Sequence, residues 1–173
     1  MPISLTSPNT DNYYVGKGIL SVQFVGESGY VDMGNVTSLE FTPGVKKLEH
    51  FSSRIGTKRK DKVVVQSLEA TLKIVAEEWT ARNMQMALVA DMLSSTGTVT
   101  LDIMTAPLRG CAIKFVGTND IGPKWSLTFP ICTLTPSAAL GTITDEWGKI
   151  ELTADCFADP VTGSFGTASA TFP

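Results

Sequence analysis

Residues 63–77, VVVQSLEATLKIVAE, alternate in a way that decides the fold class: Leu68, Ala70, Leu72, Ile74 and Ala76 share one side, while Ser67, Glu69, Thr71 and Lys73 share the other. A period of two over this length describes a β-strand with one dry face and one wet face. The same pattern recurs in GILSVQFV from Gly18, with Leu20, Val22 and Phe24 opposed to Ser21 and Gln23, and in VTSLEFT from Val36, with Leu39 and Phe41 opposed to Ser38 and Glu40. Further strands are predicted over 98–104, 111–118, 124–134 (Trp125, Leu127, Phe129 and Ile131 on one side) and 148–157 (Ile150, Leu152, Ala154 and Cys156 on one side). The turn-forming groups GESG, DMGN, TNDIGP and DEWG separate them. The expectation is a mainly β body. One segment breaks the period: TARNMQMALVADML, 80–93, has neither Gly nor Pro and starts on a capping Thr80, which predicts a single flanking α-helix with Ala81, Met84, Leu88 and Met92 along one stripe.

The chain has 173 residues, 43% of them hydrophobic and 18% charged, enough for one domain with its own core over 1–173. The ends, 1–12 and 158–173, are small, polar and proline-bearing, and read as arms that are disordered or laid on a neighbour. No apolar run is long enough to span a bilayer, and the opening MPISLTSPNTDNYY lacks the basic and apolar regions of a signal peptide, so a cytoplasmic protein is expected. Cys111, Cys132 and Cys156 each sit in apolar surroundings and read as free core thiols.

Chemistry is sparse. His50 is the single histidine, the cysteines have no metal-ligand spacing, the acid pairs Glu77/Glu78 and Asp145/Glu146 would point to opposite faces if extended, and no phosphate-binding glycine loop is present. These features predict a protein that is not an enzyme, with no cofactor and no metal.

Charge is the informative sum. Residues 43–62, PGVKKLEHFSSRIGTKRKDK, hold seven of the 14 Lys+Arg against two acids, Glu49 and Asp61, for +5; the remainder carries seven bases against 15 acids, for −8. A basic limb on an acidic body fits two partners, nucleic acid or the acidic body of another copy.

The order of NYYVGKGIL, DMGNV, the strand SLEFTP, a long basic loop over about 43–62, the long strand SLEATLKIVAEEWT and a single helix resembles the major tail tube proteins of long-tailed, siphovirus-like bacteriophages. The resemblance runs from Asn12 to Phe157 and is most specific up to Met92. It implies a β-sandwich, barrel-forming tail-tube fold with one flanking helix, whose copies form hexameric rings stacked head-to-tail into a hollow tube in the virion tail, assembled in the host cytoplasm. It implies as partners other copies, the tape measure, baseplate or tail-tip and tail-terminator proteins, and genomic DNA passing without specific binding.

If six copies each give about four strands, as that family does, strand spacing and tilt yield a barrel roughly 48 Å across. The polar strand faces would line it: Ser21, Gln23, Ser38 and Glu40, then Ser67, Glu69, Thr71 and Lys73, then Lys149, Glu151, Thr153 and Asp155. The acids there outnumber the bases, a lining that repels a duplex rather than holding it. The basic loop is expected to reach the next ring through Lys46, Lys47, His50, Arg54, Lys58, Arg59, Lys60 and Lys62, with Phe51 and Ile55 as apolar anchors. The alternatives are another β-rich virion part, such as a tail terminator or the inner tube of a contractile or secretion system, or a nucleic-acid-binding module. The low pI of about 5.1 and the scarcity of aromatics among the basic residues argue against the last.

Overall fold

The computed structural model describes residues 10–94 and 97–172. The chain is mainly β, with ten strands and one short α-helix among the described residues: β1 Gly18–Phe24, β2 Val31–Asp32, β3 Val36–Ser52, β4 Arg59–Ala76, α1 Ala81–Ala87, β5 Asp91–Ser94, β6 Thr100–Asp102, β7 Gly110–Gly117, β8 Lys124–Pro136, β9 Ile150–Cys156 and β10 Thr167–Thr171. An antiparallel sheet runs β2-β1-β7-β8-β9-β4-β3, with β10 on β8, while β5 and β6 pair separately.

The sheet rolls on itself. β3 is three strands removed from β8, which in a flat sheet is about 14 Å, yet the rings of Phe41 and Phe129 lie 5.6 Å apart, centroid to centroid. The core fills the inside: Leu20, Val22, Leu72, Ile74, Ile113, Ile150 and Leu152 are all at most 1% exposed. These are the inward positions of the alternation, so the period of two predicted from sequence becomes burial.

The bend sits in β8. Phe129 is buried and Leu127 packs against the core as expected, but Trp125 and Ile131 are 37% and 38% exposed, and past Pro130 the buried positions become Cys132 and Leu134. The predicted side for Ile131 is therefore corrected. Pro130 has no N–H to give a ladder, the pairing with β7 shifts between Cys111 and Ile113, and the other edge of β8 passes from β10 (residues 124–128) to β9 (residues 132–136). One irregularity thus flips the inward parity.

The helix is shorter than predicted. Thr80 caps it, its Oγ1 accepting from Asn83 N at 3.1 Å, but it ends at Ala87 because Val89 enters the left-handed region at φ 48° and Ala90 N returns to Gln85 O at 3.0 Å. Residues 91–94 become β5. The buried helix residues are Asn83 and Met86, while Met92, placed on the helical stripe from sequence, lies in β5 and is 38% exposed. Asn83 Nδ2 donates to Met33 O and Glu78 O, each at 2.8 Å, tying α1 to the β2–β3 connection.

Two further expectations change. The C-terminal arm is laid on its own sheet, Thr167–Thr171 pairing antiparallel with 124–128, because small side chains suffice where the backbone supplies the bonds. The basic stretch 43–62 is a loop only over 53–58; its flanks are strand, paired from Val36/Ala76 out to Ser52/Arg59. Of the N-terminal arm, residues 1–9 lie outside the described residues.

Candidate assembly surfaces

β3 and β4 outrun the body. β9 pairs with β4 only over Ala70–Ala76, so from there to the turn the two strands form a free ribbon roughly 35 Å long. Cross-strand partners lie on one face. Continuing from the inward pair Phe41/Leu72, the core-side face of the ribbon carries Pro43/Ala70, Val45/Leu68, Lys47/Val65, Glu49/Val63 and Phe51/Lys60. The other face carries Gly44/Glu69, Lys46/Ser67, Leu48/Val64, His50/Lys62 and Ser52/Arg59. Bulges leave Gln66 and Asp61 as extra residues on β4 and pin this register.

The core-side face is an apolar strip that no described residue covers: Val45, Val63, Val65 and Leu68 are 49%, 46%, 53% and 57% exposed. An isolated two-stranded hairpin is marginal in water, and a strip continuous with the core asks for a cover.

All the residues predicted to contact a neighbour lie on this ribbon. Lys46, Lys47, His50 and Phe51 are on β3, Arg54, Ile55 and Lys58 on the turn, and Arg59, Lys60 and Lys62 on β4. The two acids of the 43–62 stretch are used locally: Glu49 with Lys60, and Asp61 Oδ1 with His50 Nδ1 at 2.6 Å. Among the described residues Lys46, Lys47, Arg54, Lys58, Arg59 and Lys62 have no acidic partner. The ribbon is therefore a basic arm with an apolar side.

The second surface is the wet face of the body. Ser38, Glu40, Thr71, Lys73, Glu151, Thr153 and Asp155 come together there, through the pairs Glu40/Lys73, Lys73/Thr153 and Thr71/Asp155. Lys73 and Glu151 form an ion pair at 3.3 Å. Lys149 precedes β9 on the same parity, and Ser67 and Glu69 carry the face onto the ribbon. Ser21 and Gln23 are elsewhere: β1 belongs to the layer across the core, where Ser21 pairs with Asp32 and Lys114. In their place β8 contributes Thr133 and Thr135, opposite Asp155 and Thr153, which the sequence reading missed. A parity switch at the proline was the available signal.

Elsewhere the polar groups brace the body. Arg82 donates to Glu27 Oε1 and Oε2 at 2.6 and 2.7 Å and to Val22 O at 3.1 Å. That guanidinium, aided by the Phe24 N–H, holds the Glu27 carboxyl at about 2. Cys111, Cys132 and Cys156 are buried, free and in line across β7, β8 and β9. Burial pushes the Cys111 thiol up to about 12, and the contact with Cys156 Sγ at 3.3 Å pushes Cys132 up. No group of three or more His, Cys, Asp or Glu among the described residues is arranged to hold a metal ion.

Residues 13–115, which contain β1 to β6, most of β7 and the whole ribbon, match the family described as "Protein of unknown function UCP028589". The chain belongs to this family. The UCP028589 match thus spans the ribbon and the outer half of the rolled sheet, and it ends before β8 and β9. No curated protein matches the chain. Among solved structures, a chain of the anti-feeding prophage (AFP) baseplate, 6-fold symmetrised, aligns with TM-score 0.50 at 10% identity, covering 95% of this chain and 97% of that one. This chain and that baseplate chain share a fold. A chain from the tail of an empty GTA particle aligns at TM-score 0.48 and 9% identity over 97% and 99% of the two chains. One from the AFP tube terminating cap aligns at TM-score 0.48 and 14% identity over 99% and 100%.

Proposed function

We propose that this protein is a structural subunit of a phage-type tail, self-assembling into hexameric rings that stack into a hollow tube for DNA passage. The observation that carries the reading is the ribbon: an apolar, basic, two-stranded arm whose only uncovered need is another surface. The fold shared with a chain of a 6-fold symmetrised baseplate supports it, as does the four-stranded wet face built by β3, β4, β9 and β8. With six copies giving four strands each, the closed barrel is roughly 48 Å across, wide enough for a duplex.

The wet face then lines the bore. Glu40, Glu69, Glu151 and Asp155 outnumber Lys73 and Lys149 there, and Lys73 is already paired with Glu151. Such a lining lets a polyanion slide without capture. Ser21 and Gln23, across the core, lie on the outer wall in this arrangement.

Negative-stain electron microscopy of the concentrated protein, with sedimentation across a dilution series, tests the reading. Hollow tubes of uniform width are expected. Single closed rings that never stack would move the protein to a tail terminator, and a monomer at every concentration would overturn the proposal. Lys58→Glu with Arg59→Glu and Lys60→Glu should abolish stacking while leaving a folded monomer.

A further inference from the structure

We infer that the loop joining β8 to β9, residues 137–149, is the surface that receives the ribbon tip of another copy. The inference rests on the self-assembly reading and names the receiving site. Strand direction places the two features at opposite ends of the molecule. β4 leaves the body past Ala70 toward the ribbon tip, while its other end, Ala76, pairs with Ile150, where the 137–149 loop enters β9. A donor at one end and an acceptor at the other make a head-to-tail contact, the kind that repeats without closing.

The chemistry of the two ends is complementary. The tip presents Ile55, 86% exposed, among Arg54, Lys58 and Arg59. The loop presents Ile143 and Trp147, 98% and 86% exposed, around Asp145 and Glu146. Next to it, Glu77 and Glu78 are held in place by Asn35, whose Nδ2 and N donate to them at 2.8 and 2.9 Å. None of Glu77, Glu78, Asp145 and Glu146 has a cationic partner among the described residues.

The loop is also anchored rather than loose. Ser137 N donates to Glu151 O at 3.0 Å, and Gly148 lies so close to the Trp79 ring that a Cβ there would fall 2.8 Å from it. Apolar tips large enough to exclude water, ringed by opposite charges, give both contact area and direction. The exposed indole of Trp147 adds a face for a guanidinium. One such contact is weak, but copies held in a ring engage it together.

Mixing an Ile55→Cys copy with an Ile143→Cys copy and adding a short bismaleimide tests the contact, because the native thiols are buried. Mixed dimers should dominate over the products of either variant alone. Asp145→Lys with Glu146→Lys should raise the concentration needed for half-assembly about tenfold, and combining it with Lys58→Glu and Arg59→Glu should recover part of the loss; unchanged thermal unfolding of each variant confirms the fold. Association that persists without mixed cross-links and is indifferent to the loop reversal overturns this inference and leaves self-assembly standing. A wild-type chain that stays monomeric, together with no mixed cross-link between the two cysteine variants, overturns both.

Discussion

The two halves of β4 obey the same rule and meet opposite fates. From Ala70 to Ala76 every second side chain is buried, at 6%, 0%, 0% and 0% exposure, because the rolled sheet closes over it. From Val63 to Leu68 the same face is equally apolar and stays open to solvent. Alternation specifies a face that wants covering, and only the rest of the fold says whether this chain supplies the cover. In the body it does; on the ribbon it does not.

Several changes would break or sharpen that contrast. Leu72→Ala should cost about 2–5 kcal/mol of monomer stability in denaturant unfolding. Leu68→Ala, four residues earlier on the same face, should cost under about 0.5 kcal/mol, and a comparable loss at both sites would mean that the ribbon is packed in the monomer. Lowering the pH probes the Glu27–Arg82 brace in the body. Glu27 titrates near 2 when folded and about 4.5 when unfolded, so its stabilisation is complete above about pH 4.5 and disappears as pH falls toward 2. Glu27→Gln should therefore flatten that acid limb, by on the order of 1–2 kcal/mol after allowing for partial exposure of the carboxylate. A smaller effect of opposite sign is expected at the end of α1, where Val89→Gly relieves a β-branched residue at φ 48° and should raise stability by about 0.5–1 kcal/mol. Amide exchange gives the finest test: ribbon amides should exchange far faster than those of β9 in the monomer and become protected on assembly.

Much of this was legible in the sequence because burial in a sheet leaves a period of two. The body strands, the Thr80 cap and the buried thiols all follow from side-chain pattern. What stayed hidden was decided by the backbone. The ribbon reads as a loop because Lys47, Glu49 and Lys60 interrupt its apolar side and Pro43-Gly44 imitates a break. The switch at Pro130 moved Ile131 outward and brought Thr133 and Thr135 to the wet face. The helix stopped at a left-handed valine that no glycine announces. TASAT, with little to bury, became a strand chiefly through main-chain bonds to β8. The partners of the charged ribbon residues are a property of an assembly, and no single chain's pattern encodes them.

β4 runs unbroken from the ribbon tip to the foot beside α1, and its ladder bonds stand across the strand direction. A pull applied at the tip therefore loads the β4–β9 bonds of Ala70–Ala76 in shear, many at once, rather than unzipping them singly. The bulges at Asp61 and Gln66 lock the register against slippage. The arm is mechanically a strut, and a load taken at one end of the molecule reaches the other with little give.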